Sequence, residues 1–262
     1  MKKLLALNEL FQRLFSEYGP QGWWPLIRLR YAGHNPTERG RNTWYHPNDF
    51  SYPHTDEDIF EIMVGAILTQ NTSWENADKA LGQLFKNHLL SPEKILATST
   101  EKLAISIRSS GYYNQKAKKL INLCRMLLDT PITTLKSYET PQLRLHLLKV
   151  NGIGHETADE ILLYGFQRPV FVIDAYTVRM LLYMGYFSEK QSYHEFQTWF
   201  HAHLPADVRI YNEFHALIVQ HCVRVCKKHP LCNQCFLISV CDQRGEYFLK
   251  RKKKTKRAKN EI

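Results

Sequence analysis

Four cysteines, Cys226, Cys232, Cys235 and Cys241, fall within sixteen residues and are separated by five, two and five positions. Thiolates grouped this tightly suit a tetrahedral zinc ion or a cubane iron–sulfur cluster, and spacing alone leaves both open. Cys222 lies just before them on a helical pattern and is read as a structural neighbour rather than a ligand. Cys124 sits alone on an apolar helix face and is read as a small core residue. Cysteines crowded at one end of a 262-residue chain do not make the scattered disulfide framework of a small secreted domain. Exposed clustered thiols would oxidise, so a metal site is expected.

A second chemical feature is a Gly-x-Gly turn, Val150-Asn151-Gly152-Ile153-Gly154-His155-Glu156-Thr157-Ala158, between two apolar-periodic runs. Such a turn exposes backbone N–H groups at the start of a helix, where a phosphate can be gripped. Glycines there are expected to allow positive φ and close approach. Downstream, the short apolar run Pro169-Val170-Phe171-Val172-Ile173 delivers a lone carboxylate, Asp174, to the start of another helix. An aspartate at that point is a natural N-cap.

The elements that position these groups read as almost entirely helical. Helical patterns are predicted over 4–18, 58–69, 74–88, 101–108, 114–129, 143–149, 155–165, 175–184, 193–203 and 208–222. A short helix over 92–97 is signalled by Ser91 as cap and Pro92 at the first helical position. Residues 31–55 carry Pro36, Pro47 and Pro53 among Asn, Gly, His and aromatics, and read as a loop or insertion. No stretch alternates long enough for a sheet, and no internal repeat is seen.

A content of 44% hydrophobic residues over 262 positions is enough for a full core. No apolar run is long enough to span a bilayer. Asn8, Glu9 and Gln12 break the apolar N-terminus early, so it reads as an amphipathic helix rather than a signal peptide. An intracellular protein is expected, in cytoplasm or nucleoid if the source is prokaryotic. Of the net charge of +10, the tail 250–259 carries eight Lys and Arg and no acid. That tail, 250–262, is read as disordered, adding salt-dependent, sequence-indifferent affinity for phosphates.

Together, the Gly-x-Gly turn and Asp174 resemble the helix-hairpin-helix DNA glycosylases of the endonuclease III superfamily. The hairpin matches that family's Leu-x-x-Leu-Pro-Gly-x-Gly-x-x-Thr-Ala, with Asn151 where proline is usual. Gly65-Ala66-Ile67-Leu68-Thr69-Gln70-Asn71 and Gly111-Tyr112-Tyr113-Asn114-Gln115-Lys116-Ala117 also resemble family segments. The resemblance runs from about Asp58 to Cys241. It implies a [4Fe–4S] cluster on Cys226, Cys232, Cys235 and Cys241, with zinc as the lesser alternative. It implies that Gly152, Gly154 and His155 contact DNA along with Gln70 and Asn71, and that Gln70 fills the hole left by a flipped nucleotide. It makes Asp174 the catalytic residue, which stabilises positive charge on the sugar and orients or deprotonates the attacking water.

Strand-cleaving relatives carry a lysine eighteen residues before the aspartate; here that position is Glu156. A carboxylate cannot form an imine with the sugar, so the resemblance implies a monofunctional enzyme. Gly22-Trp23-Trp24-Pro25 and Trp74 resemble the 3-methyladenine glycosylase branch. There, Trp24 and Trp74 would sandwich the flipped base, with Trp23 as support. A cationic alkylated purine between electron-rich rings gains a cation–π attraction that normal bases lack. The insertion, with Trp44, Tyr45, His46 and Phe50, departs from that branch and could reshape the pocket.

The expected architecture is therefore all-α and two-lobed. One six-helix lobe spans 58–168 with the hairpin; a second combines 1–57 with 169–249 and the cysteine loop. The expected function is base excision repair on double-stranded DNA carrying a damaged base, by a monomeric enzyme without membrane contact. A mismatch or oxidised-base glycosylase, or a non-catalytic DNA-binding iron–sulfur protein, are the alternatives.

Overall fold

The computed structural model describes residues 4–31, 45–243 and 245. Trp44 and the basic tail lie outside the described residues. Regular elements among the described residues are all helical: α1 Leu7–Tyr18, α2 Ile27–Tyr31, α3 Asp56–Leu68, α4 Trp74–Lys86, α5 Pro92–Ala97, α6 Thr100–Ser106, α7 Tyr113–Asp129, α8 Ile132–Leu135, α9 Thr140–Leu148, α10 His155–Glu160, α11 Ala175–Met184, α12 Tyr193–His203 and α13 Val208–Arg224. The all-α class is as expected. None of the described helices is long and apolar enough to cross a membrane.

The chain divides into two compact units. The hairpin unit comprises Gln21–Val172 with Asp207–Asn212, and the cysteine unit comprises Met1–Pro20, Ile173–Ala206 and Glu213–Ile262. Residues 21–31 and 45–57, which the sequence pattern groups with the cysteine loop, fall in the hairpin unit.

In the hairpin unit, α3 is the central strut. Ile59 through Leu68 are buried on every side, so its apolar pattern is nearly continuous. It starts at Asp56, two residues before the predicted start, because Asp58 is the third helical residue of a capping box and not the first. Thr55 Oγ1 accepts from the Asp58 amide, 3.2 Å, and Asp58 Oδ2 accepts from the Thr55 amide, 3.1 Å. Around it, Leu81, Leu84, Leu103, Leu120, Leu123, Leu143 and Leu147 fill one core. Burying each such side chain contributes about 1.5–3 kcal/mol. The buried Lys116 ammonium donates to Leu68 O at 2.8 Å and Ser110 O at 2.6 Å, satisfying a carbonyl that the end of α3 leaves open.

The short helix α5 forms where Ser91 and Pro92 signalled it, with Ser91 Oγ accepting from the Lys94 amide. Beyond α10 the chain continues as a five-residue π-helix, Ile161–Gly165. Such a segment widens the winding, which is why the predicted helix 155–165 does not run as one uniform α-helix.

In the cysteine unit, Leu7, Leu10, Leu14 and Tyr18 form the buried face of α1. Phe214 of α13 meets Phe11 at 5.4 Å and Phe200 at 6.0 Å between ring centroids, giving this unit an aromatic core. Helix α12 opens with a capping box between Ser192 and Glu195.

Candidate active site and cysteine cavity

The hairpin is held from three sides. Gln70, just past the end of α3, donates through Nε2 to Gly152 O at 3.0 Å and Thr157 Oγ1 at 2.9 Å. Its Oε1 accepts from Lys119 Nζ at 2.6 Å. Asn122 donates to Asn151 O at 3.1 Å. Behind the hairpin, Arg144 grips Asp159 through two bonds, 2.6 and 3.0 Å, and its Nη2 lies 3.2 Å from His155 Nδ1.

The two glycines serve different purposes. Gly152 has φ of +110°, and a Cβ there would lie 2.3 Å from Lys119 Cγ, so both backbone and space demand glycine. Gly154 corrects the expectation of positive φ at both positions: it is extended, with φ of −94°, as the N-cap of α10. Nothing stands within 4 Å of a Cβ built at Gly154. What glycine provides there is an open approach to the first-turn amides of α10. Glu156 is exposed on that first turn. Asn71 has positive φ, +53°, and is exposed, whereas the Gln70 amide is committed to the hairpin.

The tryptophans form one cluster, but not two parallel plates. Trp24 and Trp74 meet edge to face, with centroids 5.2 Å apart at 90°. Trp24 also touches Tyr164 at 5.3 Å and Trp23 at 6.2 Å. Gly65 of α3 makes room for it: a Cβ there would come within 3.1 Å of Trp24 Nε1. At this spacing the rings fill the space that a sandwiched base would occupy. The indole Nε1 atoms of Trp24 and Trp74 are buried without a hydrogen-bond partner.

The described part of the insertion is stitched to this cluster. The His46 amide donates to Gly22 O at 3.0 Å. The His46 ring spans two carbonyls, Trp24 O at 2.9 Å from Nε2 and Asp49 O at 2.6 Å from Nδ1. Gln167 donates to Phe50 O at 3.2 Å and Tyr52 O at 2.7 Å. Three residues after Trp24, the Ile27 amide donates to the buried Glu61 carboxyl, which burial pushes up to about 8.

In the cysteine unit, Asp174 caps α11 by accepting from the Thr177 amide at 2.6 Å. Its second oxygen, Oδ2, lies 3.7 Å from His215 Nε2 of α13, and both side chains are buried. Burial alone would raise the acid's pKa, but the His215 imidazole and the Thr177 amide outweigh it and hold the carboxyl below the usual range. The helix N-terminus favours the same charge. Asp174 is thus an ionised carboxylate at neutral pH. His215 was not singled out in the sequence, where it is one of 12 histidines on an apolar-periodic helix.

Cys226, Cys232, Cys235 and Cys241 all line one cavity, together with Tyr183, His221 and Leu237. Cys222 does not line it; its Sγ faces Tyr176 O at 3.5 Å. Among the described residues, no three His, Cys, Asp or Glu donors converge as a single ion would require. Burial raises the thiol of Cys235, and that of Cys241 to about 11, and the neighbouring thiols add to both shifts. A cation bound among these four would deprotonate them, the usual coupling of thiolate ligation to metal. Four cysteines on one cavity are a donor set that would suit a thiolate-bound metal centre, zinc or iron–sulfur. The loop is tied to α11: Arg179 Nε donates to Cys226 O at 2.8 Å, Tyr183 OH to Lys228 O at 3.1 Å, and the Asp242 amide to Met184 O at 3.0 Å.

The all-helical frame thus carries the Gly-x-Gly hairpin and the buried capping aspartate on which the family resemblance rests. The profile described as HhH-GPD superfamily base excision DNA repair protein matches residues 64–205, and the chain belongs to that superfamily as an endonuclease III-like DNA glycosylase. A Methanocaldococcus jannaschii protein named as an inferred DNA repair glycosylase is 38% identical over 243 residues, covering 91% of this chain and 97% of its own. Endonuclease III of Thermotoga maritima is 28% identical over 194 residues, covering 74% of this chain and 87% of its own. H. pylori 3-methyladenine DNA glycosylase (MagIII), solved with 1,N6-ethenoadenine, superposes with a TM-score of 0.62 at 29% identity, covering 83% and 97% of the two chains. A non-covalent endonuclease III–DNA complex shares the fold, with a TM-score of 0.68 at 20% identity over 93% and 97%. The chain is thus a DNA-binding hydrolase of N-glycosyl bonds.

Proposed function

We propose that this glycosylase is monofunctional, acts on alkylated purines such as 3-methyladenine, and binds a [4Fe–4S] cluster through Cys226, Cys232, Cys235 and Cys241. The observation that carries the reading is Asp174, a buried, ionised carboxylate beside His215, combined with Glu156 where an imine-forming lysine would stand.

In the proposed reaction the C1′–N bond of the damaged nucleotide breaks heterolytically and the departing base takes the electron pair. Asp174 stabilises the positive charge that develops on the sugar and orients the water whose oxygen bonds to C1′, its proton passing to the carboxylate or to solvent. An alkylated purine is already a good leaving group, so one carboxylate suffices. The hairpin amides after Gly152 and Gly154 hold a backbone phosphate, and His155, Asn71 and Gln70 flank it, with the Gln70 side chain bracing the hairpin. A bound cluster would supply an electron-accepting and structurally bracing centre. The tryptophan-rich surroundings of Trp23, Trp24 and Trp74 and the similarity to the H. pylori enzyme support the substrate class.

The test is to incubate the protein with methylated duplex DNA and identify the released bases. Release of 3-methyladenine, abolished by Asp174→Asn, is expected. Release of mismatched or oxidised bases instead would overturn the substrate class, and unchanged behaviour of Asp174→Asn would overturn the catalytic assignment.

A further inference from the structure

His221 of α13 lines the cysteine cavity and touches the cysteine loop twice. Its carbonyl accepts from the Cys226 amide at 3.0 Å, and its ring Nε2 lies 3.7 Å from Cys235 Sγ. The other ring nitrogen, Nδ1, is 2.8 Å from the hydroxyl of Tyr18, the last residue of α1 and 203 positions away. Both side chains are buried. Phe236 packs edge-on against them, 5.5 Å from the His221 ring and 5.9 Å from the Tyr18 ring between centroids. One line of polar atoms thus runs from α1 through an imidazole to a cysteine sulfur.

The direction of these bonds follows from what each group can donate. A free thiol could donate to Nε2, but a metal-bound cysteine is a thiolate with no proton to give. The nitrogen that faces it must therefore carry the hydrogen. Burial pushes the imidazole down to about 4, which leaves the ring neutral. Its single proton then sits on Nε2, and Nδ1 accepts from the Tyr18 hydroxyl. Hydrogen bonds to cluster sulfurs offset the negative charge added on reduction, and so raise the reduction potential.

We infer that His221 is an N–H donor to the Cys235 thiolate of the bound centre, that Tyr18 fixes its tautomer and orientation, and that the pair raises the centre's reduction potential. The inference rests on the proposed iron–sulfur reading. On reduction one electron enters the centre and the proton stays on Nε2.

The test is direct voltammetry of the purified full chain, the electrode supplying the electron, after iron and acid-labile sulfide have been assayed. His221→Phe is expected to shift the one-electron equilibrium about tenfold toward the oxidised form, lowering the midpoint potential by about 59 mV. His221→Gln, which keeps an N–H donor, is expected to stay near the native value. Tyr18→Phe is expected to shift the equilibrium about threefold in the same direction as His221→Phe. A native potential in His221→Phe, a His221→Gln value as low as that of His221→Phe, or a native centre with no one-electron couple would overturn the inference and leave the cluster reading intact. Should His221→Phe retain no iron, Tyr18→Phe decides, and a native potential there overturns the inference. Zinc in place of iron and sulfide in the native protein would overturn the cluster reading and the inference with it.

Discussion

His215 Nε2 stands 3.7 Å from Asp174 Oδ2, joining residues 41 positions apart in one buried pair. On the proposed mechanism His215 acts through Asp174, which makes it a positioning residue. His215→Gln is expected to lower kcat about tenfold with little change in KM. Asp174→Asn should cost at least about a hundredfold, in the range of lost charge stabilisation. Single-turnover kinetics on alkylated duplex check both. If His215 only supports the fold, kcat and the pH profile stay unchanged while thermal stability falls.

Borohydride trapping examines the glutamate at position 156. Native protein is expected to give no covalent adduct with abasic or alkylated DNA, because imine formation needs a free amine. A trapped species would show that another lysine serves, and Lys119, bonded to Gln70 beside the hairpin, would be the first to replace.

Gln70 joins α3, α7 and the hairpin through three hydrogen bonds. Gln70→Leu is expected to destabilise the protein by about 1–3 kcal/mol, since Lys119 and Gly152 O each lose a partner. DNA affinity should fall with it. Denaturant melts and binding titrations read the two effects separately. A loss of affinity with no loss of stability would place the side chain in the DNA instead.

Glu61 gives a pH dependence. Its folded pKa, about 8, lies above the unfolded value of 4.5, so the folded state binds more protons between them. The stability this contributes is complete below about 4.5 and is lost as pH rises through about 8, at up to about 1.4 kcal/mol per pH unit. Tm should therefore decline over that window, and Glu61→Gln should flatten the decline. An unchanged slope in the variant would rule out Glu61 as the source.

Removal of the cluster is expected to act through α11. Arg179, Tyr183 and Met184 bind the backbone of the cysteine loop, and the same helix begins at Asp174. Chelation or Cys232→Ser should remove iron and acid-labile sulfide, loosen amide protection along α11 and reduce base release in parallel. Iron and sulfide contents of zero in native protein, with zinc present, would overturn the cluster assignment.

Local features were legible in the sequence, and pairings between distant residues were not. Ser91–Pro92 and Asp174 are read from neighbours along the chain and cap their helices as expected, whereas the Gly-x-Gly turn forms with positive φ at Gly152 alone. Helices α2 and α8, five and four residues long, are too short to show periodicity. His215 and Lys119 gain meaning only from partners many positions away. The tryptophans were identifiable as a group, but their edge-to-face geometry depends on Gly65 and Tyr164, which no spacing rule connects to them.

A Cβ at Gly22 would lie 2.2 Å from Pro47 N, so the seam between the tryptophan segment and the insertion admits no other residue. The His46 amide bonded to Gly22 O closes the same seam, so the tryptophan segment and the following chain are registered to each other by backbone atoms, and side chains on either face can change without shifting that register.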